Sequence, residues 1–344
     1  MNLQIADSDG ATSPITPPLT SRAHARQQLQ NLADGRAAGG TRDTAPVNRP
    51  PEDWITRRSL YQGRLFEIGH IVCRPTPEVR SEVENPALNV LALPTAGVFA
   101  LHHGPRRQVI ATPNHAVFIA SGSPCRVSFP GNVGDECIVM RMSPEGLARL
   151  VPESMAREGF KPSYLASHAT LPPAAILARG LLWRHFVQGE ADPLLVEELG
   201  IGLLEAALGA ARKTARGDGH SRHVRRVKEA ISAAPERKWT LGELSGIAGV
   251  SPCHLAHVFN REIGTSVYRY AVRQRLARAL NAVLDSNLDL TSIALDAGFA
   301  SHSHFTARFR AFFGLTPEKL RRCAGSGSAA ELRKIVTAPA ATAA

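Results

Sequence analysis

The chain has 344 residues, 44% of them hydrophobic, with a formal net charge of +10, and that length suffices for two domains with a core each. It holds no apolar run of about 18 residues and no basic start followed by an apolar stretch and a small-residue cleavage site, so a cytoplasmic protein is expected and a membrane or secreted one is not. The five cysteines, Cys73, Cys125, Cys137, Cys253 and Cys323, are scattered, the pattern of reduced thiols rather than of a disulfide frame or a zinc site.

Residues 1–52 are rich in Ser, Thr, Pro, Ala, Gly and Asp and carry no sustained period, so a disordered tail is expected there. Short apolar runs then recur: Ile68–Cys73, Leu88–Leu93, Gly97–Leu101, Gln108–Ala111, Ala116–Ala120 and Cys137–Met140. Pro, Gly and Asn separate them, which predicts an antiparallel β-barrel or sandwich within a domain over 53–215. His102, His103 and His115 lie in this region, but no H-x-H with a following Glu stands at ligand spacing, so no metal site is expected. Arg126 and Arg141 fall on strands, where surface ion pairs are their expected fate.

After Ser143 the texture turns helical. Pro172–Gln188 and Pro193–Lys213 carry leucines three and four apart (Leu177, Leu181 and Leu182; Leu195, Leu199, Leu203, Leu204 and Leu208), joined by Gly189–Asp192, so a helical hairpin is expected over 172–213. Its apolar load fits either packing on the sheet or a homodimer contact. Arg216–Gly219 reads as a short linker.

The region from 220 to 323 contains a near-repeat. Leu255, Phe259 and Gly264 recur as Phe305, Phe309 and Gly314, while Leu241, Leu244, Ala248 and Gly249 recur one residue out of register as Leu290, Ile293, Ala297 and Gly298. Each copy reads as a helix-turn-helix. In the first, Thr240 caps a helix whose Leu241, Leu244 and Ala248 face inward, Gly249 turns, and Ser251 caps a second helix with Pro252 at its first position. That helix buries Leu255, Val258, Phe259 and Ile263, leaving Cys253, Ala256, His257 and Asn260 outward, where base edges would be met. In the second copy Thr291 is expected to cap Ser292–Ala297, Gly298-Phe299 to turn, and Ser301 to open a helix burying Phe305, Phe309 and Phe312. Its outward residues are His302, Ser303, Thr306 and Ala307, followed by Arg308 and Arg310 as phosphate contacts. A helix over Val267–Leu284 with Arg269, Arg273, Arg275 and Arg278 joins the copies. The basic balance sits here: Gly217 to Cys323 holds 16 Lys and Arg against 9 Asp and Glu, as expected where phosphates are neutralised.

The stretch Arg275-Leu-Ala-Arg-Ala-Leu280, Ile293-Ala, Ala297-Gly-Phe299, Ser301-His-Ser-His-Phe305, Phe309 and Phe313-Gly-Leu-Thr-Pro317 resembles the C-terminal signature of the AraC/XylS regulators. The resemblance implies a DNA-binding transcription regulator, most often an activator, with two recognition helices in successive major grooves of double-stranded DNA. It further implies contact with RNA polymerase, a cupin-like β-barrel sensor domain over 53–215 that holds a small-molecule effector, no enzymatic activity and no cofactor. Ala307 stands where the family often has Arg, so the operator cannot be read from the residues. The competing reading is a cupin-type metalloenzyme fused to a DNA-binding module, which needs convergent metal ligands. A DNA-alkylation-repair fusion needs a cysteine tetrad near the start, and the first 72 residues hold none. Residues 324–344 are expected to form a second disordered tail.

Overall fold

The computed structural model describes residues 54–75, 81, 83–103, 107–151, 168–189, 192–214, 221–285 and 288–325. The two expected tails, apart from 324–325, and the linker Arg216–Gly219 lie outside these residues. The strands are β1 (Ile55–Gln62), β2 (Glu67–Cys73), β3 (Asn89–Gly97), β4 (Phe99–His103), β5 (Arg107–Ala111), β6 (His115–Ile119), β7 (Arg126–Ser128), β8 (Asp135–Met142) and β9 (His168–Thr170). They form a six-stranded sheet in the order β1-β2-β8-β3-β6-β9 and a three-stranded sheet in the order β5-β4-β7, antiparallel throughout.

This corrects the expected closed barrel: the two sheets face one another as an open sandwich. The chain changes sheet at Gly97, whose φ is +72°. A Cβ there would lie 2.1 Å from the Gly134 carbonyl oxygen, so only glycine permits the crossing. Alternating side chains of the larger sheet serve two cores. Cys73, Ala92, Val117, Cys137 and Val139 meet Phe99, Leu101 and Val109 of the smaller sheet. Ile68, Leu91, Leu93, Ile138 and Met140 face helices on the other side. Burial on both faces is why these strands read as continuous apolar runs rather than as alternation.

A short helix α1 (Pro144–Leu150), capped by Ser143, follows β8. The hairpin consists of α2 (Pro173–Gln188) and α3 (Pro193–Thr214), with Gly189 ending α2 at a φ of +70°. Its leucines are spent inside the chain: Leu177, Leu181, Leu199, Leu203 and Leu208 are all buried. Those faces are covered within the chain, whereas Leu194 near the start of α3 is 64% exposed.

Seven further helices, among the described residues, complete the fold: α4 (Arg222–Ala233), α5 (Leu241–Ala248), α6 (Pro252–Ile263), α7 (Val267–Asp285), α8 (Leu290–Asp296), α9 (His302–Phe313) and α10 (Pro317–Gly325). They divide between two cores. Val224, Ile231, Leu244, Leu255, Phe259 and Tyr270 form a small core of α4 to α6 with the start of α7. The rest of α7 and α8 to α10 join the hairpin and the larger sheet in one continuous apolar cluster. Polar contacts reinforce this junction. Gln274 donates to Thr112 Oγ1 at 3.0 Å, Asn281 donates to the Thr95 carbonyl at 3.4 Å, and Arg184 of α2 donates to the Leu284 carbonyl.

Candidate nucleic-acid interface

Helix α5 begins with a reciprocal capping box: the Thr240 hydroxyl accepts from the Glu243 amide while the Glu243 carboxylate accepts from the Thr240 amide. With Arg237 also donating to it, the Glu243 carboxyl is held down at about 2, the Thr240 backbone hydrogen bond being the main cause. Because that value is depressed, the cap contributes stability above the ordinary glutamate range and loses it as pH falls from about 4.5 toward 2. Glu243 is partly exposed, so the effect is screened and should stay below about 1 kcal/mol. Acid titration of thermal stability should show this loss in the wild type and not in Glu243→Gln.

Gly249 ends α5 at a φ of +71°, and the Ser251 hydroxyl accepts from the His254 amide to open α6. Leu255, Val258 and Phe259 are buried, whereas Cys253, Ala256, His257 and Asn260 are exposed. Two expectations shift here: Leu241 is 38% exposed rather than inward, and Ile263 is only half-buried. His254 and Arg261 are also exposed on α6, and the pattern of outward residues read from the sequence omits both. Their spacing of three and four residues from His257 places them on the same face.

The second pair differs at its start. Asp289, not Thr291, caps α8, its carboxylate accepting from the amides of Thr291 at 2.8 Å and Ser292 at 3.0 Å. A carboxylate complements the helix N-terminus better than a hydroxyl does, and it takes the cap two residues earlier. Gly298 turns at a φ of +83°, and the Ser301 hydroxyl accepts from the His304 amide to open α9. Phe305, Phe309 and Phe313 line the buried face at intervals of four; Phe312, expected inside, is half-buried. His302, Ser303, Ala307, Arg308 and Arg310 are exposed and Thr306 is half-buried. His304 turns back onto the Phe299 ring, 5.5 Å between centroids.

The four arginines of α7 have different environments. Arg269 is exposed, Arg273 half-buried, and Arg278 pairs with Glu236. Arg275 is buried, and its guanidinium donates to the carbonyls of Pro235 at 2.7 Å, Arg237 at 2.8 Å and Gly298 at 3.2 Å. It therefore ties the loop after α4 to the turn of the second helix pair. Gly298 seals the same junction, because a Cβ there would sit 2.1 Å from the Glu236 carbonyl oxygen.

Two capped helix pairs, each presenting the exposed face of its second helix and locked together through Arg275, define a helix-turn-helix protein. Residues 244–323 match a family model described as a helix-turn-helix domain. The chain is 36% identical over 100 residues to the HTH-type transcriptional regulator GlxA of Rhizobium meliloti, covering 29% of this chain and 31% of that protein. It is 29% identical over 102 residues to the HTH-type transcriptional regulator ExsA of Pseudomonas aeruginosa, covering 30% of this chain and 37% of that protein. Among solved structures it is similar to a probable AraC family transcriptional regulator from Rhodopseudomonas palustris, at 33% identity and a TM-score of 0.29, over 30% of this chain and 98% of that one. The C-terminal region is thus a helix-turn-helix domain, similar to that of a putative AraC-like transcription regulator of Streptomyces lividans at 32% identity over 88 residues, 26% of this chain and 29% of that protein. The chain spans about a third of the length of these curated relatives.

Among the described residues, no helix is long and apolar enough to cross a membrane. Nor do three His, Cys, Asp or Glu side chains gather there as metal ligands. His102 bonds Ser128 Oγ at 2.7 Å, and His115 bonds Thr112 Oγ1 at 2.8 Å; the His103 side chain lies outside the described residues. Arg126 is exposed and Arg141 half-buried.

Proposed function

We propose that the chain is a sequence-specific DNA-binding transcription regulator of the AraC type, with α6 and α9 as recognition helices in successive major grooves. The observation that carries this reading is the pair of outward faces fixed relative to one another by Arg275. Ser251, Cys253, Ala256, His257 and Asn260 belong to one face, and Ser301, His302, Ser303, Thr306 and Ala307 to the other. Arg308 and Arg310 are exposed on α9, and in this reading they meet phosphates. The sheets and hairpin serve as the domain for a small-molecule effector, and their shared core with α7 to α10 gives such a ligand a physical route to the second helix pair. Activation through RNA polymerase rests on the family resemblance alone.

The test is fluorescence anisotropy of the full chain on labelled duplexes from the promoter region next to its own gene. Affinity should fall steeply between low and physiological salt, by about a thousandfold if six or more phosphates are neutralised. A salt-independent signal, or none on any duplex, would refute the reading. On a duplex that binds specifically, His257→Ala and His302→Ala should each lose about 1–3 kcal/mol of discrimination against random DNA. Arg308→Ala or Arg310→Ala should weaken all DNA alike and lower the salt slope by about 1 per lost contact. Nonspecific losses from the histidine variants, with folding intact, would mean that another face of these helices meets the bases.

A further inference from the structure

Arg179 of α2 has no exposed surface. Its Nη1 donates to two backbone carbonyls, those of Pro94 and, at 2.6 Å, of Pro113. Its Nε and Nη2 are buried with no hydrogen-bond partner, and no carboxylate pairs with it among the described residues. Burial lowers its pKa to about 10, which still leaves it charged at neutral pH. An isolated buried cation is costly unless it is paired and hydrogen-bonded. The two orphaned nitrogens lie along one edge of the guanidinium plane, the edge that accepts a carboxylate in a bidentate contact.

The surroundings extend the pattern. The Oδ1 atoms of Asn114 and Asn281 are also buried without partners. Asn114 follows Pro113, which Arg179 holds, and Asn281 donates to Thr95, which follows Pro94. Two acceptors without donors thus belong to residues on, or bonded to, the segments that Arg179 holds. A single buried positive charge is balanced by a monoanion, whereas a phosphate dianion would leave a negative charge dry.

We propose that Arg179 is the receptor of a small organic carboxylate, its Nε–Nη2 edge binding the carboxylate and Asn114 and Asn281 accepting from hydroxyl groups of the same ligand. The site deepens the reading of the N-terminal half as an effector domain and rests on it. The segments that Arg179 holds, Pro94-Thr95 and Thr112-Pro113, also accept hydrogen bonds from Asn281 and Gln274 of α7.

The experiment is calorimetry and thermal denaturation of the full chain with sodium lactate, sodium acetate and sodium phosphate, each against chloride at equal ionic strength. Mass spectrometry of acid-released small molecules from freshly purified protein runs alongside. Lactate should bind saturably and raise the melting temperature, acetate more weakly, phosphate not at all; or a carboxylic acid should be released from the purified chain. Arg179→Lys keeps the charge but loses the two-nitrogen edge, so binding should weaken about tenfold or more. Since Arg179 variants can fail to fold, Asn114→Asp supplies the second arm. Its carboxylate beside Pro113 would serve as an internal counterion, raising the melting temperature and abolishing the lactate response. No response to lactate or acetate together with no released acid would overturn the proposal, as would an undiminished response in folded Arg179→Lys or in Asn114→Asp. Anisotropy on DNA with the same samples in chloride alone reports separately on the regulator reading.

Discussion

Replacing Gly298 with alanine should dislocate the two helix pairs from one another, because this turn fails on two independent counts. Its φ of +83° costs an L-residue about 1–2 kcal/mol. The added methyl also meets backbone, the Glu236 carbonyl oxygen at 2.1 Å, so the chain itself must shift, for about 1–3 kcal/mol more. Gly249 occupies the equivalent turn of the first pair at a φ of +71°, but a methyl added there would meet no atom within 4 Å. Gly249→Ala should therefore lose only the conformational part. Thermal denaturation of the two variants side by side decides the point: a loss for Gly298→Ala of about 2–5 kcal/mol is expected, clearly larger than that of its counterpart. Equal losses would show that the contact with Glu236 relaxes without cost.

The second large effect is expected at Arg275. Removing the guanidinium in Arg275→Met leaves the carbonyls of Pro235, Arg237 and Gly298 without this donor in a buried setting. Each acceptor left dry costs about 1–3 kcal/mol, less where water reaches it. Arg275→Lys keeps the charge but cannot serve three separate acceptors with one fork, so it should recover only part of the loss. At a temperature where the variants remain folded, affinity should fall on a duplex spanning both grooves and stay near wild type on a duplex presenting one groove. Parallel losses on both duplexes would assign Arg275 to general stability rather than to the spacing of α6 and α9.

The two capped helix pairs are the most legible part of the chain because their determinants are local. Thr240, Ser251 and Ser301 cap as their spacing implies, and Gly249, Gly264, Gly298 and Gly314 all take positive φ. The cap of α8 is ambiguous in the sequence because Asp289, Thr291 and Ser292 are all competent and stand within four residues. Strand β1 leaves no apolar signal because its middle is exposed on a sheet edge, while β7 and β9 are only three residues long. Which strands pair, and that they form two open sheets, depends on contacts far apart in sequence. The partners of the arginines are equally hidden: Arg269 and Arg275 are the same residue type on one helix, yet one reaches solvent and the other three carbonyls. Arg179, one basic residue among the leucines of its helix, owes its surroundings to residues 66 and 85 positions away.

The continuous core that joins the larger sheet and the hairpin to α7 through α10 bears on how this chain can be recombined with others. A chimera cut between 215 and 220, the place where composition suggests a hinge, would separate the covalent chain without separating the packing. It would strip Leu276, Leu280, Val283 and Leu284 of the α2 surface, where Gly180 admits Leu280 and Leu284 to within about van der Waals contact. A graft of another N-terminal half would have to bring a helix with glycine at the position of Gly180, and an arginine placed to hold the Leu284 carbonyl as Arg184 does. The exchangeable unit is instead the small one, α4 through α6 with its own core, whose boundary falls inside α7 between Ala271 and Val272. Exchange is thus open to the first helix pair, while the second stays tied to the packing of the larger sheet and the hairpin.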